Sequence, residues 1–225
     1  MLLSDALQYP FRGKDWFHRM LTLALLQLIP IVGQVILFGY GIAIVRAVYA
    51  GETKLPLLQW RQALCDGGLF VVAGLLYLTP ILGLIPNVVM FEIAVRFLDI
   101  ELVPGSLIAN TMYGVFALVL TLLIVLIVSG LYVGGVRYAV ESKRFKGLFG
   151  ATGNAKLLLR NRDASRTLIV NMFLVGLVAV VGISFGLVFL ILPGLFMFVS
   201  CSLTLWYLFA RYGLEVGVNT SGFAA

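Results

Sequence analysis

Charged residues divide this chain into long apolar runs. Between charged borders, uncharged stretches cover residues 20–45, 67–91, 102–136 and 167–210, with lengths of 26, 25, 35 and 44 residues. A helix crossing the hydrocarbon core of a bilayer needs about 20 apolar residues, each rising roughly 1.5 Å. The first three runs each hold one crossing, with the surplus absorbed by tilt or kinks. The fourth holds two, joined by a tight turn expected at Leu192-Pro193-Gly194, because proline withholds a backbone donor and glycine accepts positive φ. Similar punctuation at Ile29-Pro30-Ile31-Val32-Gly33 and at Thr79-Pro80-Ile81-Leu82-Gly83, with Pro86 beyond, reads either as kinks within spans or as hairpin tips. Periodicity does not choose between them, since a helix in lipid is apolar all round. The pattern predicts an all-α fold, a polytopic transmembrane bundle of five to six membrane helices with Pro/Gly kinks or tight hairpins.

Composition agrees with the pattern. The chain is 61% hydrophobic and 12% charged, against roughly 45–50% and about 25% in soluble domains. So few charges would not cover the surface of a soluble fold of this size, whereas lipid accepts an apolar exterior. No polar block is large enough for a soluble domain. One membrane domain, 1–225, is expected: an interfacial lead-in (1–15), the first helices (16–136), a basic loop (137–166), a C-terminal helical hairpin (167–214) and a tail (215–225). The first apolar run is too long for a signal peptide and lacks a small-residue cleavage site, so targeting by an uncleaved first span is expected.

Charge then orients the spans. Residues 137–166 carry Arg137, Lys143, Arg144, Lys146, Lys156, Arg160, Arg162 and Arg166 against Glu141 and Asp163, a net +6 that equals the charge of the whole chain. Loops rich in Lys and Arg collect on the cytoplasmic side, which predicts a multi-pass protein of the cell (inner) membrane with this loop in the cytoplasm. Segment 92–101 has a net charge of −2 and falls outside, and the 46–66 connection falls inside. Arg12, Lys14 and Arg19 draw the amino terminus inside as well. That requires a hairpin at Pro30 and gives six helices, while a single kinked crossing gives five. Residues 6–33 and 145–194 also share an order of amphipathic lead-in, basic turn, apolar helix and proline-glycine punctuation, a faint internal echo.

Several residues together carry a family likeness. Ala6-Leu7-Gln8-Tyr9-Pro10-Phe11, Asp15-Trp16, Leu28-Ile29-Pro30-Ile31-Val32-Gly33 and Gly39-Tyr40 are followed by Arg46, Gly51-Glu52, Leu55-Pro56, Trp60, Asp66-Gly67 and Tyr77 before Pro80. The chain thus resembles an uncharacterised prokaryotic membrane family known as domain of unknown function 4013, most densely over residues 6–83. The stretch Leu57-Leu58-Gln59 departs from the more acidic, tryptophan-containing pattern expected there. The resemblance implies a polytopic bundle and brings no assigned activity.

Candidate chemistry is sparse. The sole histidine, His18, lies among Tyr9, Phe11, Trp16 and Phe17, a composition that suits an aromatic belt at a membrane surface better than a metal or pigment site. Cys65 and Cys201 have no ligand or redox spacing. Glu92 and Arg96 are spaced to pair on one helix face near its end. Gln27, Gln34, Asn87, Asn110 and Asn171 suit hydrogen bonds between helices. No metalloprotease, nucleophile-elbow or phosphate-loop motif is present. No catalytic residue, metal site or cofactor is therefore expected. Gly130, Gly134, Gly182 and Gly186 stand at small-xxx-small spacings and are the helix-packing candidates. Lys143, Arg144, Lys146, Lys156, Arg160, Arg162 and Arg166, interleaved with Phe145, Leu148, Phe149 and Leu157-Leu158-Leu159, are the candidates for contact with anionic lipid headgroups, in preference to nucleic acid. The expected role is a non-catalytic scaffold or accessory subunit that packs against the helices of other membrane proteins. The alternative is a small permease for an uncharged or lipidic solute.

Overall fold

A computed structural model describes residues 3–97, 107–141, 144–189 and 191–218. Among these residues the fold is helical throughout and contains no strand: α1 Leu3–Gln8, a short 3-10 turn at Tyr9–Phe11, α2 Trp16–Leu26, α3 Val32–Tyr49, α4 Trp60–Phe97, α5 Leu107–Val140, α6 Arg144–Phe149, α7 Ala151–Arg160, α8 Arg162–Phe189 and α9 Ile191–Glu215. Five of these helices (α3, α4, α5, α8 and α9) are long and apolar enough to cross a membrane. The protein is an all-α membrane protein.

The helices outrun the apolar runs. The α4 helix begins six residues before Asp66, α5 continues through Arg137, and α8 starts at Arg162. Charged side chains end an apolar run without ending a helix, because a helix satisfies its own backbone while long side chains reach polar surroundings. The basic segment is itself mostly helical, as α6 and α7.

Proline positions correct one expectation. The break between the last two helices does not fall at Leu192-Pro193-Gly194, because α9 already starts at Ile191 and Pro193 lies in its first turn. There its missing N–H would have had no intrahelical partner anyway. Pro80 and Pro86 are not hairpin tips, since α4 runs through both. Pro30, in contrast, does mark a reversal. Ile31 has φ 63° and ψ −62°, the only non-glycine positive φ among the described residues, and the Val32 N–H donates to the Pro30 carbonyl at 2.6 Å. This is a γ-turn of the strained kind, held by a β-branched residue.

The turn resolves the choice between five and six helices. The α2 helix has 11 residues, about 16 Å of rise against a hydrocarbon core of about 30 Å. It folds back on α3 without being a full span. The amino-terminal residues nevertheless return to the loop that follows α3, where the Tyr9 hydroxyl donates to the Lys54 carbonyl at 3.3 Å and the Arg19 guanidinium donates to the Leu55 carbonyl.

Contacts divide the chain into two compact units, residues 1–73 with 130–225 and residues 74–129. The second comprises the later part of α4 and the earlier part of α5. Its described side chains, among them Leu75, Leu76, Leu118 and Leu122, are largely exposed. In the first unit α9 is the hub, packed by α8, α3, α2 and α1. Its Trp206 is fully buried, with ring centroids 4.7 Å from Tyr132 and 5.0 Å from Phe70.

Candidate functional site: buried charges at the α3–α4–α5 junction

Close helix approach builds the site. Gly39 and Gly67 face the neighbouring backbones so tightly that a methyl group at Gly39 would overlap Ala63, and one at Gly67 would overlap the Val35 carbonyl. Gly41 and Gly135 likewise make room for the Trp206 ring from α3 and α5. Helices that approach so closely bring their polar side chains within reach of one another.

Asp66 is the centre of the resulting cluster and is 6% exposed. One carboxylate oxygen accepts from Arg46 at 2.5 Å, and the other accepts from the Tyr138 hydroxyl at 2.8 Å. The Arg46 guanidinium also lies 5.9 Å above the Tyr138 ring. Three segments, α3, α4 and the end of α5, are thereby tied through one carboxylate. All three residues lie within membrane-length helices, where ionisable groups are costly unless paired.

A second cluster caps the end of α5. Arg137 donates in bidentate fashion to Glu141, at 2.6 and 3.1 Å, and to the side-chain amide oxygen (Oδ1) of Asn154 in α7 at 2.8 Å. Asn154 is fully buried and donates to the Gly147 carbonyl at 3.1 Å. Ser165 at the start of α8 donates to the Leu158 carbonyl at 2.7 Å and lies 2.9 Å from the Tyr212 hydroxyl of α9. The loop after α3 is held by Arg19 and by the Tyr40 hydroxyl, which donates to the Pro56 carbonyl at 2.7 Å. Tyr9 stacks on Tyr207 at 4.3 Å, and burial pushes its phenol well above the usual tyrosine range.

Two cavities border these clusters. One, of about 420 Å³, is lined by Gly39, Tyr40, Ala43 and Arg46 of α3 together with Glu52, Gln59 and Gln62. The other, of about 550 Å³, lies between the end of α5, α7 and residues 216–218.

The residues singled out from sequence fall in different places. Gly130 is buried. Gly134 faces Asn154 and the Leu148 carbonyl, so it receives α6 and α7, and Gly182 faces Met197 of α9. Gly186 lies in α8 beyond the residues with described side chains, as do Glu92 and Arg96 in α4. Lys146, Lys156, Arg160, Arg162 and Arg166 are exposed; Lys143 and the Arg144 side chain lie outside the description. His18 is exposed, Cys65 is exposed and Cys201 is buried. Among the described residues no three His, Cys, Asp or Glu side chains gather as metal ligands.

Sequence reasoning missed the clusters themselves. It treated Arg46, Asp66 and Arg137 as borders of apolar runs and did not single out Tyr138 or Asn154. A signal was present, since Arg46 and Asp66-Gly67 belong to the family likeness.

A family model described as protein of unknown function (DUF4013) matches residues 22–192. The chain belongs to the DUF4013 family. The matched region contains Arg46, Asp66 and Tyr138 and also Arg137, Glu141 and Asn154, and it ends within the first turn of α9, before Trp206 and Tyr212. No curated protein and no solved structure matches the chain.

Proposed function

We propose that this DUF4013 protein is a non-catalytic integral membrane component, a scaffold or accessory subunit whose α8 packs against helices of another membrane protein. One observation carries the reading. Of the membrane-length part of α8, 17% is buried within the protein, against 61% for α3. Phe173, Leu177 and Val180 are exposed along it, and a side chain at Gly176 would meet nothing within 4 Å. A groove of this kind, small beside large, lets a second helix approach closely enough for van der Waals packing to hold it. The buried polar groups support the same role, because they join the protein's own helices to each other.

The orientation completes the proposal. The basic segment lies on the cytoplasmic side of the cell membrane, its exposed cations against anionic headgroups. Single cysteines introduced at Thr152 or Asn161 in a background without Cys65 and Cys201 are labelled by impermeant maleimide from the cytoplasmic side alone. Labelling from outside overturns the orientation. Extraction from native membranes in a mild detergent yields a defined complex, and Gly176→Leu with Phe173→Ala releases the partner while the protein stays folded.

A second reading, a small permease for an uncharged or lipidic solute, draws on the 420 Å³ cavity, where Tyr40, Gln59 and Gln62 stand beside small residues of α3. Solute flux into vesicles holding this chain alone, with no partner on extraction, selects that reading over the first.

A further inference from the structure

The cavity of about 550 Å³ at the end of α5 is unusual in its charge. Its lining carries three cations, Arg137, Lys156 and Arg160, and one carboxylate, Glu141. The carboxylate is already taken by Arg137 through two hydrogen bonds. Lys156 and Arg160 stand one helical turn apart on α7, both exposed and both lining the cavity. Like charges at that spacing repel each other, and an anion between them relieves the repulsion.

Arg137 is held in place for such a ligand. Of the five N–H groups of a guanidinium, three are committed among the described residues, two to Glu141 and one to Asn154. Glycine keeps its edge open: a side-chain carbon at Gly153 would come within 3.2 Å of Nη1. The remaining wall comes from Leu157, Val216 and Val218, with the uncharged amide of Asn161 beside them. The segment bearing α6 and α7 joins two membrane-length helices, α5 ending at Val140 and α8 starting at Arg162. The cavity therefore opens where those helices end, the level at which lipid headgroups sit.

We infer that this cavity is a binding site for a phosphate-bearing anion, with Lys156 and Arg160 as its ligands and Arg137 at its base. Guanidinium and ammonium groups lining one cavity without a free carboxylate match a group that only accepts hydrogen bonds. A cavity of this size lies within the usual range for small-ligand sites, about 300–1,000 Å³. The inference rests on the headgroup contact proposed above and narrows it from a charged surface to one cavity.

The test uses the full-length protein in phosphatidylcholine nanodiscs, with and without phosphatidylglycerol, and separately in detergent with inorganic phosphate. Retention of phosphatidylglycerol is read by native mass spectrometry and phosphate binding by calorimetry. The pair Lys156→Gln and Arg160→Gln is compared with Lys146→Gln and Arg166→Gln, which remove equal charge from exposed positions outside the cavity. The charge-neutral Gly153→Leu adds bulk to the lining. Affinity about tenfold weaker in the cavity pair and in Gly153→Leu than in the outside pair is expected. Such a loss with phosphatidylglycerol alone identifies a lipid headgroup, and one with inorganic phosphate identifies a soluble ligand. Equal losses in the two pairs overturn the cavity and leave the diffuse headgroup contact standing. No binding of either probe by the wild type overturns both.

Discussion

Helices α3 and α8 invert the usual relation between apolarity and burial. The α8 window has a mean hydropathy of 2.3 and is 17% buried within the protein, whereas that of α3 has a mean hydropathy of 1.6 and is 61% buried. In water the more apolar helix would be drawn inside. In lipid that drive vanishes, because the tails are as apolar as leucine. What places α3 inside is instead its glycines and its one charge. Gly39 and Gly41 admit α4 and Trp206 to the backbone, and Arg46 finds Asp66. The α8 helix packs on α9, where Gly182 faces Met197; Leu168 and Val175 are buried, and bulky side chains such as Phe173, Leu177 and Val180 are exposed.

If this account is correct, the largest effect comes from breaking the buried charges. Asp66→Ala leaves the mostly buried Arg46 cation, its side chain 15% exposed, without its carboxylate, and the loss is about 3 kcal/mol, the lower end of the range for a broken buried pair. It is read as thermal unfolding in detergent by a thiol-reactive dye at the buried Cys201, with Cys65 replaced by serine. Phe173→Ala on α8 should stay within about 0.5 kcal/mol of wild type in the same assay. The double change Arg46→Met with Asp66→Leu recovers most of the loss, since an apolar pair leaves no charge to desolvate. A double variant as unstable as Asp66→Ala would show that packing, not charge, dominates the junction.

The glycines give a matched pair. Gly67→Val drives a side chain into the Val35 carbonyl and costs about 3 kcal/mol, the upper part of the range for overpacking. Gly176→Val costs no such collision, because nothing lies within 4 Å of the added carbon. Equal destabilisation by the two would remove the distinction between an inward and an outward helix.

Tyr138→Phe deletes one hydrogen bond to the Asp66 carboxylate while keeping the ring beneath Arg46, and about 2 kcal/mol is expected. Added to Asp66→Ala, the Tyr138→Phe change should cost little more, because the hydroxyl's acceptor is then already gone.

The smallest effect belongs to the turn before α3. Ile31→Gly relieves a positive φ that a β-branched residue adopts with strain and raises stability by at most about 1 kcal/mol, offset in part by glycine's greater freedom when unfolded. A loss of stability there would mean that the exposed Ile31 side chain is itself held by a neighbour.

Much of the fold is legible in the sequence. Four uncharged runs, each at least the length of a bilayer crossing, and a +6 segment between them dictate membrane helices and their basic connection, because both follow from chain length and charge alone. Pro30 read as a candidate reversal for the same local reason. Pro193 instead lies in the first turn of α9, because proline is equally at home there and only the helix start tells a turn from a helix beginning.

What tertiary structure alone decided is which residues meet. Asp66 and Tyr138 are 72 positions apart, and Arg137 and Asn154 are 17 apart. A linear pattern carries no distance between them. Charged residues at the borders of apolar runs look like helix ends facing water. At Arg46, Asp66 and Arg137 the helix backbones continue and glycines bring helices into contact, so Arg46 pairs with Asp66, and Arg137 with Glu141 and Asn154, instead of with solvent.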